Sequence, residues 1–350
     1  MKLKKMAVCG HFSFKKELVN GQTVKTKIVT QELENQFGND CVRKIDTHGG
    51  IKNLPLFLAK SIEAFFTCQN LIIMPGRNGV KVIVPVYFFL NFIFRRRLHC
   101  IVIGGWINDF LETHKRLERM LKSFDHIYVE TSHMKDMLIK RNFRNVTVMP
   151  NFKRLEKMQY QDLIYNRGKS YKLCTFSRIL KEKGIEDAIN AVIKVNEKEC
   201  RCIYILDLYG QIDSQYEERF KEILDKSPSY ITYKGVVPYN KSNQILKNYN
   251  ALLFPTYYSG EGFAATLIDA FASGIPVIAS DWRYNREIVI DRYNGFIFKS
   301  FDELVALLYS YEKTMDLCNN MKKNCIDTAR LYTPEIAIKE LVSNINGVKL

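Results

Sequence analysis

Short apolar runs, each about the length of one strand, alternate along the chain with segments whose apolar residues recur at helical spacing. Runs such as Met6–Gly10, Leu71–Met74 and Ile203–Tyr209 end at a glycine, a proline or a polar loop, and a helical segment follows. This alternation is typical of parallel sheets, which bind ligands at the carboxyl ends of their strands. The alternation restarts near residue 151, so we predict an α/β protein with two Rossmann-like parallel-sheet domains.

The stretch from Phe254 to Asp281 has the clearest pattern in the chain. It predicts a strand, a glycine-containing turn, a helix over Phe263–Ser273 and a further buried strand. The first N–H groups of a helix lack intrahelical partners and lie in a positive dipole field, which suits a phosphate. Ala264 and Ala265 in the first turn are small enough to let a ligand approach that backbone.

Two carboxylates flank this helix start. Glu261 lies just before the helix, and Asp269 follows Ala265 at i+4 on the same helix face. The first turn and Asp269 are separated by roughly 7 Å of axial rise, about the span from a diphosphate to the ribose that carries it. We therefore predict a site for a nucleoside diphosphate.

The positive charge of the chain is concentrated in its first half. Residues 1–150 carry 24 Lys and Arg against 12 Asp and Glu, which is +12 of the total net charge of +15. Such a bias indicates an anionic partner: a membrane surface, nucleic acid or a phosphorylated substrate. It is equally compatible with basic residues scattered over a solvated surface.

The cysteines and the N-terminus indicate a cytoplasmic protein. The nine cysteines form no CxxC pair and no zinc spacing, so we expect reduced thiols. The N-terminal segment is basic but has only a very short apolar run, and we expect no signal peptide. The longest apolar stretch, Val82–Phe94, is too short to span a bilayer.

Val82–Phe94 is rich in aromatic residues and is followed by Arg95, Arg96 and Arg97. A helix with an apolar face next to three arginines can lie in a membrane interface. The same residues also fit a crossover helix buried against the sheet with its arginines in solvent. The sequence leaves both alternatives open.

The central stretch also carries a family resemblance. Glu261-Gly262-Phe263, Asp269, Gly274–Ala279, Glu287–Val289 and Asn294-Gly295 occur in the order and setting of the retaining glycosyltransferases of family four (group 1), which have the GT-B fold. The resemblance is strong over about 172–298 and moderate in the first half. The sequence departs from the family pattern at Asp269, where relatives have a glutamate.

The resemblance implies a domain organisation and further site residues. Residues 1–150 would form the acceptor-binding domain, 151–330 would bind the donor, a helix from about Leu331 would pack back on the first domain, and the two domains would face a cleft. Arg178 and Lys183 match the pair that neutralises the donor diphosphate, by a guanidinium fork and a mobile point charge. The remaining residues assigned to nucleotide binding are Gly21, Val236, Gly262, Phe263, Ala264, Ala265 and Asp269.

The implied reaction is transfer of a sugar from a nucleotide-diphosphate donor to an acceptor hydroxyl with retention at the anomeric carbon. Arg178 and Lys183 would stabilise the departing diphosphate, and Glu261 would hold sugar hydroxyls and stabilise positive charge in the transition state. The chain has no Asp-x-Asp pair, and two fixed cations make a metal unnecessary, so we expect neither metal nor cofactor. Relatives often have a histidine after the strand Leu98–Ile103; here Gly105 or Trp106 stands there, and we assign no catalytic histidine.

The partners expected are a UDP- or GDP-sugar, a glycan or lipid-diphosphate-linked sugar acceptor, and an anionic membrane surface contacted peripherally from the cytoplasm; we expect no nucleic acid. Assembly of bacterial cell-surface polysaccharide is the setting in which the resembled enzymes act. Two alternatives remain: a non-catalytic partner that binds nucleotide sugar, and a nucleotide-sugar epimerase on the same fold.

Overall fold

The computed structural model describes residues 4–14, 21–154, 156, 159–165, 168–238 and 240–347 of the chain. It divides into two compact units, each with its own parallel sheet. Unit 1 comprises Met1–Asn151 and Pro334–Leu350, and unit 2 comprises Phe152–Thr333. The loop residue Asn20, next to the candidate residue Gly21, lies outside the described residues.

Unit 1 is built on a six-stranded parallel sheet with the order β2-β1-β3-β4-β5-β6. Its strands are β1 (Lys4–Gly10), β2 (Val42–Asp46), β3 (Cys68–Met74), β4 (Arg97–Ile101), β5 (His126–Val129) and β6 (Val146–Val148). The helices between them are α1 (Gly21–Phe37), α2 (Leu54–Thr67), α3 (Val80–Phe94), α4 (Ile107–Thr113), α5 (Lys115–Lys122) and α6 (Ser132–Lys140).

Unit 2 repeats this architecture with the strand order β12-β11-β10-β7-β8-β9, again all parallel. Its strands are β7 (Tyr171–Phe176), β8 (Tyr204–Tyr209), β9 (Ile231–Gly235), β10 (Ala251–Phe254), β11 (Val277–Ser280) and β12 (Gly295–Phe298). Its helices are α7 (Ile185–Lys198), α8 (Glu217–Asp225), α9 (Ser242–Leu246), α10 (Ala265–Ala272), α11 (Asn285–Ile288), α12 (Phe301–Tyr309) and α13 (Tyr311–Arg330).

The chain then returns to unit 1 with α14 (Pro334–Ala337) and α15 (Lys339–Asn346). Helix α14 packs on α1. The Asn344 amide donates to the Tyr128 hydroxyl of β5 at 3.0 Å, and the Lys5 ammonium donates to the Asn346 side chain at 2.8 Å. The C-terminal helices are therefore an integral part of unit 1.

The central strands of both sheets are buried on both faces, which explains their continuous apolar sequences. Leu71–Met74 in β3 and Val277–Ala279 in β11 have no exposed surface. Helices cover the two faces, and loops gather at the edge where the strands end, which we call the carboxyl edge. The predicted α/β class with two Rossmann-like parallel-sheet domains is confirmed.

Several element bounds differ from the prediction. The central helix α10 starts at Ala265 rather than Phe263, because Ala264 is still extended (φ −66°, ψ 123°) and caps the helix. Helix α13 continues to Arg330, and Pro334 starts a new helix where one helix from Leu331 was predicted.

None of the helices in the described part of the chain combines the length and the apolar composition needed to cross a membrane.

One buried ion pair fixes the beginning of unit 2 to helix α10. The Lys153 ammonium donates to both carboxylate oxygens of Asp269, at 2.5 and 2.6 Å, and their side chains are 13% and 5% exposed. The Lys153 N–H donates to the Tyr332 carbonyl at 3.2 Å. Lys153 thus joins the first residues of unit 2 to its last ones and to the helix of the central motif.

We expect Lys153→Met to lower the free energy of unfolding of unit 2 by about 3 kcal/mol, because it leaves the buried Asp269 carboxylate without its cation. Trp282 lies in unit 2 and Trp106 in unit 1. Urea denaturation followed by tryptophan fluorescence in a Trp106→Phe background therefore reports on unit 2.

The double variant Lys153→Met with Asp269→Leu should regain most of that stability, because neither charge remains buried. Lys247→Met, at an exposed lysine of the same unit, serves as the matched control. Equal stability of Lys153→Met and Lys247→Met would show that the ion pair does not stabilise unit 2.

Candidate functional site

The candidate site of unit 2 is centred on a second buried ion pair, at the carboxyl edge of the sheet. The Lys183 ammonium lies 2.5 Å from Oε2 of Glu261, and the two side chains are only 10% and 8% exposed. The Thr256 hydroxyl donates to the same Glu261 oxygen at 2.8 Å. Lys183 follows β7 and Thr256 follows β10, neighbouring strands of the sheet.

Gly184 makes this meeting of two loops sterically feasible. Its φ of +69° lies in the left-handed region, and a Cβ there would approach the Pro255 carbonyl oxygen to 2.0 Å. Beside this close approach, the Tyr257 N–H donates to the Glu182 carbonyl at 2.8 Å. The loop after β7 is thereby held against the loop after β10, with Lys183 against Glu261.

Arg178 lies on the first of these loops and is exposed. Its guanidinium is 5.6 Å from the centroid of the Tyr258 ring, and the Lys183 ammonium is 5.0 Å from the same centroid. Both predicted cations therefore flank one aromatic ring. Within the described residues, Arg178 forms no ion pair, so its charge is available to an anion.

The segment from Glu261 to Ala265 enters α10 as the sequence predicts, with one difference at Phe263. The Phe263 ring is 3% exposed and packs edge-on against Tyr332, with centroids 4.7 Å apart. Phe263 thus anchors the segment by its side chain, and only its backbone is left for a ligand. Ala264 and Ala265 are half-buried, so the first turn of α10 remains accessible.

Asp269 lies one turn further along α10 and is 4% exposed. Burial raises the pKa of its carboxyl, and the charge and hydrogen bonds of Lys153, with the Ser242 hydroxyl, act in the opposite direction. Lys153 was not among the residues predicted from the sequence. It is a lysine close to the point where the strand–helix alternation restarts, but nothing in the local pattern connects it to a residue 116 positions away.

Two further candidates lie apart from this cluster. Val236 follows β9 at the same carboxyl edge, and its side chain is 66% exposed. Gly21 belongs to unit 1, where it is the first residue of α1 and has no atoms within 4 Å of the position of a Cβ. The structure therefore brings together Lys183, Glu261 and, through Tyr258, Arg178.

The histidines near β4 have structural surroundings. His99 is fully buried between the Tyr128 hydroxyl and the Asn70 amide oxygen, both at 3.2 Å. Burial lowers its pKa to about 3, so the ring stays neutral. His114 stacks on Phe110 at 3.9 Å. Trp106 donates its indole N–H to the Ile103 carbonyl at 2.7 Å.

Comparison with known proteins shows a family to which most of unit 2 is similar. The model of the family described as "Glycosyl transferases group 1" matches residues 159–328. The GtfA subunit of the UDP-N-acetylglucosamine–peptide N-acetylglucosaminyltransferase of Streptococcus pneumoniae serotype 4 is 29% identical over 172 residues. That match covers 48% of this chain and 32% of the pneumococcal protein, so the chain spans about a third of the length of this relative.

Two solved structures resemble the whole chain. Alr3699/HepE of Anabaena, crystallised with UDP and glucose, superposes with a TM-score of 0.73 at 14% identity and covers 98% of this chain and 99% of its own. The lipopolysaccharide outer core galactosyltransferase WaaB gives a TM-score of 0.71 at 16% identity, with 99% of each chain covered. At these identities the likeness concerns the fold, and it confirms the predicted GT-B class. The site at the carboxyl edge of unit 2 thus lies within residues 159–328, the segment that matches the model of the group 1 glycosyl transferases.

Proposed function

We propose that the chain is a glycosyltransferase that moves a sugar from a nucleoside-diphosphate donor to an acceptor hydroxyl with retention at the anomeric carbon. The observation that carries this proposal is the buried contact between Lys183 and Glu261, with Arg178 5.6 Å from the centroid of the Tyr258 ring that Lys183 also approaches. A desolvated carboxylate paired with one cation, with a second cation near the same ring, suits a substrate whose sugar gains positive charge while its diphosphate gains negative charge.

The diphosphate binds at the cations and the start of α10. Arg178 offers a planar fork of donors for phosphate oxygens, and Lys183 supplies a charge that can shift from Glu261 to phosphate. The backbone of Gly262–Ala265 adds N–H donors at the positive end of the α10 dipole. Lys183 and the start of α10 are partly buried, and there their stabilisation of the leaving diphosphate is larger than in water.

Sugar transfer breaks the bond between the anomeric carbon and the diphosphate oxygen, and a bond to the acceptor oxygen replaces it on the same face. The acceptor proton passes to the departing phosphate oxygen. Glu261 holds sugar hydroxyls and stabilises the positive character of the anomeric carbon. Thr256 donates to Oε2 of this carboxylate and orients it.

The ribose lies near Asp269 and the base near Val236. A carboxylate has about four acceptor sites, so Asp269 can accept from a ribose hydroxyl while Lys153 occupies two of them. A uridine nucleotide is the first donor to test, because the pneumococcal relative is named for UDP-N-acetylglucosamine and the Anabaena protein was crystallised with UDP. GDP-sugars are the second choice.

The acceptor binds to unit 1, as a glycan or a lipid-diphosphate-linked sugar, in assembly of bacterial surface polysaccharide. Unit 1 also offers an apolar surface to an anionic membrane. Phe66 of α2 and Phe89, Phe92 and Ile93 of α3 are 60%, 62%, 85% and 73% exposed, and we call them the aromatic face. The exposed residues Arg95 and Arg97 follow α3 directly, whereas Arg96 is half-buried and its guanidinium donates to the Phe65 carbonyl. The protein would act peripherally at the cytoplasmic side of the membrane.

Arg178→Ala and Lys183→Ala should each lower kcat/KM by at least about a hundredfold, or roughly 2.7 kcal/mol of transition-state stabilisation. The measurement is sugar transfer from a UDP-sugar, with UDP release and product formation followed separately. Lys181→Ala, at an exposed lysine of the same short helix as Lys183, is the matched control. Near-normal rates in both variants, with circular dichroism unchanged, would remove these cations from the site.

Activity should be unchanged by EDTA, because Arg178, Lys183 and the α10 backbone already supply the positive charge that the leaving diphosphate requires. The measurement is the rate of transfer after dialysis against chelator, with and without added Mg²⁺ or Mn²⁺. Loss of activity that either metal restores would contradict a metal-independent mechanism.

The protein should sediment with anionic vesicles at low salt and much less at high salt or with neutral vesicles. Each arginine near an anionic surface contributes about 1 kcal/mol, attenuated over a Debye length of roughly 8 Å at physiological salt. Phe89→Ser with Phe92→Ser, and Arg95→Glu with Arg97→Glu, should each reduce binding.

Charge reversal at Lys140 and Arg144, two exposed residues of the same unit, is the matched control for the arginine variant. Equal and negligible sedimentation under all conditions would contradict the membrane proposal. Binding that survives reversal at Arg95 and Arg97 would place the contact elsewhere on unit 1.

A further inference from the structure

Two adjoining cavities, one mainly apolar and one with more polar residues in its lining, lie at the carboxyl edge of the unit 1 sheet. One has a volume of about 370 Å³ and is lined by the apolar side chains Leu54 and Phe57 of α2 and Val82 and Ile83 of α3. The other has a volume of about 410 Å³ and a polar lining. Both volumes fall in the range of small-molecule sites.

The polar cavity collects groups from the ends of three adjacent strands. His11 follows β1, Thr47 follows β2 and Arg77 follows β3, and Gln22 joins them from α1. Gly76 leaves room for the Gln22 side chain, whose oxygen would lie 2.7 Å from a Cβ at that position. Arg77 is exposed and, in the part of the chain that the structure describes, forms no ion pair.

Asp46, which lines the apolar cavity, holds the loops that supply His11 and Thr47 to the polar one. Its carboxylate accepts N–H donors from Phe12 at 2.9 Å, Ser13 and Phe14 at 3.2 Å and His48 at 2.9 Å. Burial alone would raise the pKa of Asp46, but these four donors outweigh it and the pKa falls below its usual value. The carboxylate thus uses its charge within the protein to fix the loops after β1 and β2.

His11 presents a neutral ring to this cavity. Its Nδ1 lies 2.7 Å from the Thr23 hydroxyl and its Nε2 lies 3.1 Å from Nδ1 of His48. Burial first, and then the neighbouring His48, lower the pKa of His11. Arg77 is therefore the permanent cation of the cavity lining.

The two cavities share five lining residues: Thr47, Gly50, Asn78, Gly79 and Ile83. One molecule can therefore occupy both, with an anionic or hydroxylated part beside Arg77 and an apolar part between α2 and α3. The apolar cavity belongs to the two helices that carry the aromatic face, and Val82 in its lining is itself 47% exposed. Val82, Phe89 and Phe92 are exposed residues that recur at helical spacing on α3, so they link the cavity lining to the aromatic face.

We propose that this double cavity binds a single-chain lipid phosphate or diphosphate, with the phosphate at Arg77 and the first part of the chain between Leu54, Phe57, Val82 and Ile83. The proposal rests on the proposed glycosyl transfer and assigns the lipid-linked acceptor to these residues. The acceptor sugar attached to the phosphate would lie on the polar side, near His11 and Gln22.

Dodecyl phosphate, below its critical micelle concentration, is the probe, and isothermal calorimetry on the full chain gives its Kd and stoichiometry. We expect one binding site for dodecyl phosphate. Inorganic pyrophosphate, which lacks the alkyl chain, should bind at least tenfold more weakly than dodecyl phosphate. Arg77→Ala should weaken dodecyl phosphate at least tenfold but leave the neutral detergent dodecyl maltoside unaffected, because only the anionic head group meets the guanidinium.

Gly79→Leu tests the junction of the two cavities. Gly79 has φ −64° and ψ −30°, which any residue adopts, and a Cβ there meets its nearest neighbour at 3.5 Å. Gly79→Ala should therefore bind the probe normally, whereas the longer side chain of Gly79→Leu should obstruct the cavity and abolish binding. Val82→Trp should also abolish binding, because the larger side chain fills the apolar cavity from a partly exposed position. This variant replaces Gly79→Leu in the test if Gly79→Leu does not fold.

Phe92→Ser separates the cavity from the aromatic face, since it should leave the stoichiometric binding of monomeric probe intact. Three results would each overturn the proposal. They are normal binding of dodecyl phosphate in both Gly79→Leu and Val82→Trp, an affinity for pyrophosphate equal to that for dodecyl phosphate, and no binding of dodecyl phosphate at all. The last of these results would favour an acceptor such as a peptide. UDP affinity, measured in the same variants, should be unchanged. If the unmodified chain neither binds UDP nor transfers a sugar, that result would instead refute the proposed function.

Discussion

The contact between Lys183 and Glu261 depends on a steric condition, and the candidate site of unit 2 depends on that contact. The loops after β7 and β10 approach so closely that the Pro255 carbonyl occupies the space where any residue but glycine at position 184 would have a Cβ. Bringing two opposite charges out of water is costly, and their mutual attraction offsets that cost only when geometry and hydrogen bonds are good. Thr256 supplies the additional hydrogen bond to Glu261.

The sequence predicted the features that are written locally. The helices that connect parallel strands cover both faces of each sheet, so the central strands are apolar on both faces. The two parallel sheets could therefore be predicted from short hydrophobic runs that alternate with helical segments. Lys183 was selected because it matches the cation pair of the resembled family, and Glu261 because it lies just before the predicted helix; the structure puts them in contact. Asp269 follows Ala265 at i+4 within α10, as predicted, although the helix starts after Ala264 rather than at Phe263.

The features that the sequence did not predict depend on contacts between distant segments. Lys153 and Asp269 are 116 residues apart, and no periodicity links them. Phe263 was predicted as part of a ligand-binding segment, but its ring packs against Tyr332, a distant residue of unit 2. The double cavity of unit 1 likewise arises where loops from three strands and two helices converge, and each of these loops alone is an ordinary polar turn.

The position of the C-terminal helices has a consequence for synthesis of the protein on the ribosome. Unit 2 is one continuous segment whose first and last residues meet at Lys153 and Tyr332, so all its contacts are available once that segment has emerged. Unit 1 is interrupted by this insertion. The hydrogen bond from Asn344 to the Tyr128 hydroxyl and the one from Lys5 to Asn346 cannot form until α15 has been made. The half of the molecule that is translated first is therefore completed last. Its sheet must stay folded without α15, or be protected by a chaperone, while about two hundred residues are added at 5–20 per second.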